Sequence, residues 1–147
     1  MKIAVLDWYT VNIGGDIPSS RFEEFGEVRV IPMTTPEETA ANIADAEIVL
    51  CNKVMITKEV IDACPNMRYI GLFATGFNNI DIEYAAKKGI TVCNAGEYST
   101  NAVAQQVFAY ILDHCNRIRD YGAAVKDGAW ERSPSYRRQA WLWQRSD

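Results

Sequence analysis

The residues best placed to do chemistry follow the apolar runs of this sequence. Ala74-Thr75-Gly76-Phe77-Asn78-Asn79 comes directly after the apolar run Tyr69-Ile70-Gly71-Leu72-Phe73. A glycine there can take a positive φ and turn successive backbone N–H groups into one cavity, which binds a carboxylate or phosphate without a cationic side chain. Thr75 could add a hydroxyl donor. Gly and Asn are equally the ordinary residues of a turn before a capped helix, so both readings of the loop stand. Asn52-Lys53 follows the run Ile48-Val49-Leu50-Cys51. Lys53 there could attract an anionic substrate as a point charge, or sit solvated and idle. Asp7 and Asn12 follow the first run, and Asp7 could equally be an ordinary strand-end polar residue. His114, the single histidine, falls within a helix-periodic stretch away from these loops and is not expected to act as a general acid. Cys51 and Cys93 end apolar runs, where small packing residues are expected. With Cys64 and Cys115 they form no CxxC pair, so no metal set is predicted, and reduced, mostly buried thiols are.

The elements that must position these residues alternate along the chain. Met1 to Asp7 reads as a strand, followed by an irregular stretch with Gly14, Gly15 and Pro18. Ser19 to Phe25 reads as a modest helix, and Val28-Arg29-Val30-Ile31 as a β-branched second strand. Thr35-Pro36-Glu37-Glu38 predicts a helix start, with a Thr cap, Pro at the first helical position and Glu38 closing a capping box. Ile48 to Cys51 is a third strand, Thr57 caps a short helix ending before Pro65, and Tyr69 to Phe73 is a fourth strand. Asp81 caps the next helix, Lys87 and Lys88 suit its last turn, and Gly89 stops it. Ile90-Thr91-Val92-Cys93 makes the fifth strand.

Strands separated by helices predict an α/β fold, a parallel sheet covered on both faces in the flavodoxin-like order 2-1-3-4-5. Ligands of such sheets sit at the carboxyl ends of the strands, where the loops above lie. After Thr100, a further plausible cap, Val103, Val107, Ile111, Cys115, Ile118, Tyr121 and Val125 recur at helical spacing, which predicts one long helix from Asn101 to Gly128. Phe108, Tyr110 and Leu112 lie off that stripe. So broad an apolar surface, on a helix of ~25 residues and roughly 37 Å, calls for a further packing partner.

Composition narrows the classes of function. With 147 residues, 48% of them hydrophobic, the chain suits one domain with a genuine core, not two. The formal charge is −4, from 15 Lys plus Arg against 19 Asp plus Glu, so no nucleic-acid or membrane-surface partner is predicted. No apolar run approaches a membrane span, and the first residues lack signal-peptide character, so a soluble cytoplasmic protein is expected. Neither GxGxxG nor GxxxxGKT occurs in the sequence. The last 11 residues, Arg137 to Asp147, hold two of the four tryptophans and carry +2, leaving −6 on the preceding 136.

Three motifs in order carry a resemblance. Ala74-Thr75-Gly76-Phe77-Asn78-Asn79-Ile80-Asp81, then Ala85-Ala86-Lys87-Lys88-Gly89-Ile90-Thr91-Val92-Cys93-Asn94, then Ser99-Thr100-Asn101-Ala102-Val103-Ala104-Gln105 resemble the D-isomer-specific 2-hydroxyacid dehydrogenase family, in its glycerate dehydrogenase or hydroxypyruvate reductase form. Asn116-Arg117-Ile118, Gly128-Ala129-Trp130 and Ser133-Pro134-Ser135-Tyr136 continue it, so the match runs from about Met1 to Tyr136. The resemblance implies a flavodoxin-like substrate domain over residues 1–100 that forms one wall of a cleft. It implies that Thr75 and Gly76 bind the substrate carboxylate through backbone N–H groups, that Lys53 lines the cleft, and that Thr100 and Val103 approach the nicotinamide of NAD. The helix over 101–130 would lead to a separate NAD-binding Rossmann domain, and that helix's surplus apolar surface would pack there.

The resemblance also implies a difference. Members of the family are about twice this length, and their catalytic arginine, glutamate and histidine lie beyond the matched segment. The 131–147 tail, unmatched in its last 11 residues, is therefore expected to mark a gene cut or frame-shifted near Tyr136. The implied function is a truncated NAD-dependent dehydrogenase of small 2-keto and 2-hydroxy acids, inactive as an isolated chain. The alternative is a non-catalytic protein that self-associates through its long helix. A phosphate-accepting receiver domain is the weakest reading, because it needs acidic residues where strand three ends in Cys51-Asn52-Lys53.

Overall fold

Five short strands pair side by side, all parallel, in the order β2-β1-β3-β4-β5. They are β1 (Lys2–Val5), β2 (Glu27–Val30), β3 (Ile48–Cys51), β4 (Tyr69–Leu72) and β5 (Thr91–Cys93). The computed structural model describes residues 1–132, so Ser133 to Asp147, with the unmatched tail, lie outside the described residues. Met1–Tyr98 forms one unit, and the described residues from Ser99 onward belong to a second.

The sheet order is the one the apolar runs predict; the inner strands β1, β3 and β4 are buried and read as continuous apolar stretches, while the edge strands β2 and β5 are only partly covered. Val5, Val49, Cys51 and Ile70 are fully buried on β1, β3 and β4, and Leu6, Ile43 and Ile56 close the core around them. Three helices join the strands: α1 (Thr39–Ile43), α2 (Lys58–Ala63) and α3 (Ile82–Lys87).

Local signals were realised unevenly. The Asp81 carboxylate accepts the Tyr84 N–H at 3.0 Å and caps α3 as expected, and Gly89, with φ 74, ends that helix. At α1 the Glu38 side chain does reach back to the Thr35 N–H at 3.4 Å. The first turn there is tightened into i→i+3 bonds, so the α-helix begins at Thr39, three residues later than Pro36. Thr57 precedes α2 but gives it no side-chain cap; the nearby Thr57 hydroxyl helps hold the Glu59 carboxyl below its ordinary value. The stretch Ser19–Phe25 is a 3-10 helix, not an α-helix.

The second unit corrects the long-helix expectation. Asn101 to Gly128 is not one helix but two, α4 (Thr100–Asn116) and α5 (Ile118–Lys126), separated by Arg117 at φ 49 and ψ 44. Arg117 bonds Asp120 through its guanidinium at 2.7 Å, which places an anion in the first turn of α5, where the helix dipole favours it. The apolar spacing tolerates a one-residue break and so runs through it unmarked. Ser99, not Thr100, occupies the position before α4. Neither helix has a buried residue among those described, and Phe108, Tyr110 and Leu112 are exposed. No helix among the described residues is long and apolar enough to cross a membrane.

Candidate functional site

The carboxyl ends of β1, β3, β4 and β5 are tied together by three short polar side chains. Asp7, just after β1, is buried, and its carboxylate accepts the Asn52 N–H at 3.0 Å and the Lys53 N–H at 2.6 Å. Asn79 donates from Nδ2 to the Val54 carbonyl at 2.8 Å, which ties the loop after β4 to the loop after β3. Asn94, following β5, donates from Nδ2 to the Thr75 carbonyl at 2.7 Å, and the Ala95 N–H donates to the Ala74 carbonyl at 3.0 Å. An isolated parallel bridge between Ile56 and Ile80 completes the join.

Lys53, Thr75 and Gly76 are thereby brought to one edge, on the loops of the adjacent strands β3 and β4, and all three are exposed. Thr100 and Val103 belong to the second unit, where both are exposed on α4.

Gly76 differs from its expected form. Its φ is not positive, so the loop does not turn on a left-handed glycine. A Cβ added to Gly76 would meet only Asn78 Oδ1, at an ordinary 3.5 Å. Its N–H makes no hydrogen bond within the described residues. Backbone conformation and internal packing therefore leave this glycine unexplained, whereas close approach of a ligand to the main chain would explain it.

The thiols divide by position. Burial, with the nearby Asp7 charge adding to it, pushes the Cys51 thiol up to about 12, and burial raises Cys64 as well. Both are neutral packing groups at ordinary pH. Cys93 and Cys115 are exposed, against the expectation of mostly buried thiols, because β5 is an edge strand and α4 buries nothing. The neighbouring Cys93 thiol, with burial adding to it, holds the Tyr69 phenol above its ordinary value. No group of three or more metal-ligating side chains occurs among the described residues.

Asp7, Asn79 and Asn94 are the positioning residues that reading along the chain passed over or left open. Their partners lie 46, 25 and 19 residues away, so no local spacing marks them. The only local signal is that each is a short polar side chain at or near a strand's carboxyl end.

The sequence model described as D-isomer specific 2-hydroxyacid dehydrogenase, catalytic domain, matches residues 8–132. The chain belongs to this family. A hydroxypyruvate reductase of Blautia hydrogenotrophica is 39% identical over 139 residues, which are 92% of this chain and 43% of that protein. A glycerate dehydrogenase of Methylorubrum extorquens is 31% identical over 102 residues, 69% of this chain and 32% of that one. Among solved structures, an acyclic imino acid reductase in complex with NADPH and D-Arg superposes with a TM-score of 0.70 at 25% identity, over 87% of this chain and 41% of that one. The D-lactate dehydrogenase of Aquifex aeolicus, complexed with NAD and lactic acid, superposes with a TM-score of 0.67 at 21% identity, over 86% of this chain and 37% of its own, a likeness of fold. This dehydrogenase-family chain thus spans less than half the length of these relatives.

Members of the family use NAD(P), and the described residues do not build a site for a whole dinucleotide. Such a site needs a glycine-rich turn that delivers the pyrophosphate to a helix N-terminus. Here β1 instead runs into the buried Asp7 and a three-residue 3-10 turn, Trp8–Thr10, and β4 into a loop whose one glycine has no positive φ.

Proposed function

We propose that this chain forms the substrate-carboxylate wall of a dehydrogenase of the glycerate dehydrogenase or hydroxypyruvate reductase type. Its partner in that role is a small 2-keto or 2-hydroxy acid. The Gly76 observation carries the reading: an exposed glycine with ordinary φ, an N–H with no acceptor among the described residues, and room where a side chain would otherwise stand. In this role the Gly76 N–H and Thr75 donate to the carboxylate, and the Lys53 ammonium adds a point charge at the same edge. Residues 1–100 act as the substrate domain, and 101–130 lead toward the NAD-binding domain of longer relatives, with Thr100 and Val103 on the nicotinamide side. NAD would supply the hydride. Of the five residues named here only Lys53 carries a transferable proton, and its proposed place is beside the carboxylate, so by themselves they bind and orient the acid and do not turn it over. The four free thiols suit a reducing cytoplasm.

Gly76→Ala tests the reading by separating binding from folding. At negative φ the substitution is expected to leave stability unchanged or raise it by up to ~1 kcal/mol. Oxalate, whose carboxylate adjoins a second carbonyl carbon as in a 2-keto acid, should bind the variant at least about tenfold more weakly, because the added methyl fills the space beside the retained N–H and keeps the carboxylate from closing a charge-assisted hydrogen bond with it. Equal oxalate affinity in variant and wild type would remove the carboxylate from this loop.

The exposed apolar residues of α4 and α5 favour a second reading, self-association through these helices, with one helix exchanged between two chains as a possible geometry. Sedimentation at micromolar concentration is then expected to show a species of twice the chain mass. A monomer across that range counts against it.

A further inference from the structure

Asp7 is the only buried ionisable carboxylate among the described residues, and carboxylate binding makes no direct use of it. It forms no ion pair among the described residues. The two oxygens instead take the main-chain N–H groups of Asn52 and Lys53, 45 and 46 residues further along the chain. Asp7 itself stands at φ 48, a left-handed conformation that Asp tolerates better than most residues. The Thr10 hydroxyl donates to the Asp7 carbonyl at 2.8 Å, and Asn52 Nδ2 donates to that same hydroxyl oxygen at 2.8 Å. The ring of bonds from Asp7 to Asn52 to Thr10 and back fixes where the β3 loop leaves the sheet.

Lys53 is held on both sides as a result. Its N–H is bound by Asp7, and the carbonyl of the next residue, Val54, is bound by Asn79. Its side chain is exposed, and its ammonium forms no ion pair among the described residues. A pinned main chain beneath an unpaired cation differs from an ordinary surface lysine. With the root fixed, less chain freedom remains to be lost when the ammonium meets an anion.

We propose that Asp7 is a positioning residue for Lys53: by holding the Asn52 and Lys53 amides it sets the ammonium over the edge that carries Gly76. This assignment rests on the carboxylate-binding reading above and extends it to a residue that never touches the ligand. Asp7→Asn keeps the size and one acceptor oxygen but opposes the other amide with an NH2 group.

The test is a double-mutant cycle on the full chain, with oxalate as the probe and amide shifts at Gly76 as the readout, comparing wild type, Asp7→Asn, Lys53→Met and the double variant. Asp7→Asn is expected to weaken oxalate about fivefold when Lys53 is present and to change it less than about 1.5-fold in the Lys53→Met background. An equal loss in both backgrounds would make Asp7 merely structural and overturn the assignment. Wild type that binds at Gly76, with Lys53→Met binding as tightly, also overturns it while leaving the carboxylate loop intact. Wild type that shows no shift at Gly76 sinks the carboxylate reading and this one with it. Asn52→Ala spares the buried carboxylate and removes only the link to Thr10, so it serves if Asp7→Asn does not fold. A loss of about twofold, confined to proteins that keep Lys53, is then expected, and a loss independent of Lys53 overturns the assignment.

Discussion

Asp7→Ala is expected to destabilise the Met1–Tyr98 unit by about 3–5 kcal/mol, because a buried acceptor of two main-chain N–H groups disappears at one stroke. Each charge-assisted bond contributes about 1.5–3 kcal/mol, and the amides of Asn52 and Lys53 would be left without their acceptor. Alanine also tolerates φ 48 less well than aspartate, since it has no side-chain oxygen to bond locally. Thermal melting should fall by at least roughly 10 °C for a domain of this size. A loss under about 1 kcal/mol in urea titration would mean that water replaces the carboxylate at little cost, and that the junction between β1 and β3 is looser than it looks.

The second large effect is expected at the sheet edge. A side chain at Gly26, which stands at φ 156, would place its Cβ inside the van der Waals shell of the Met1 carbonyl oxygen. That carbonyl accepts the Glu27 N–H at 3.0 Å, next to the Lys2–Glu27 pair that begins the pairing of β1 with β2. The obstacle is backbone, so no rotamer change relieves it. Gly26→Ala must part the two strands at their start, at a cost of about 2–4 kcal/mol. Gly15→Ala is the useful comparison: its φ of 67 carries conformational strain of about 1–2 kcal/mol, but nothing lies within 4 Å of the added carbon. Equal stability loss in the two variants, by chemical denaturation, would show that contact with Met1 contributes nothing beyond conformation.

What could be read along the chain depended on how far apart the interacting residues lie. The five strands and their order were legible, because burial writes each inner strand into its own few apolar residues and β-branched residues mark the partly exposed edge strands. The Asp81 cap was legible for the same reason, its partner being three residues away. Ser19 to Phe25 was read as a modest helix and forms a 3-10 helix, since so short a segment after Pro18 carries no signal that separates the two. The break at Arg117 was illegible: arginine is a good helix former, and the apolar spacing continues on both sides of it. At the proposed site, Thr75, Gly76 and Lys53 are legible as strand-end residues, and Thr75 and Gly76 also through the family motif. The side chains that join their loops are not, because Asp7, Asn79 and Asn94 act across the sheet.

The same distinction separates the two arguments for Gly76. A left-handed turn was the reason expected for that glycine, and its φ denies it. The remaining reason is space beside an N–H that has no acceptor among the described residues. A ligand carboxylate fits that space chemically, and Lys53, on the neighbouring loop, supplies charge of the right sign.

Residue-resolved titration of the wild-type chain with oxalate, followed by amide shifts, tests this most directly. Saturable shifts concentrated at Thr75, Gly76 and Lys53 are the predicted result. Shifts gathered instead at the opposite edge of the sheet, where Lys2 and Arg68 line a shallow groove with Glu27, Asp45 and Glu47, or no shift at Gly76 at any oxalate concentration, would contradict it.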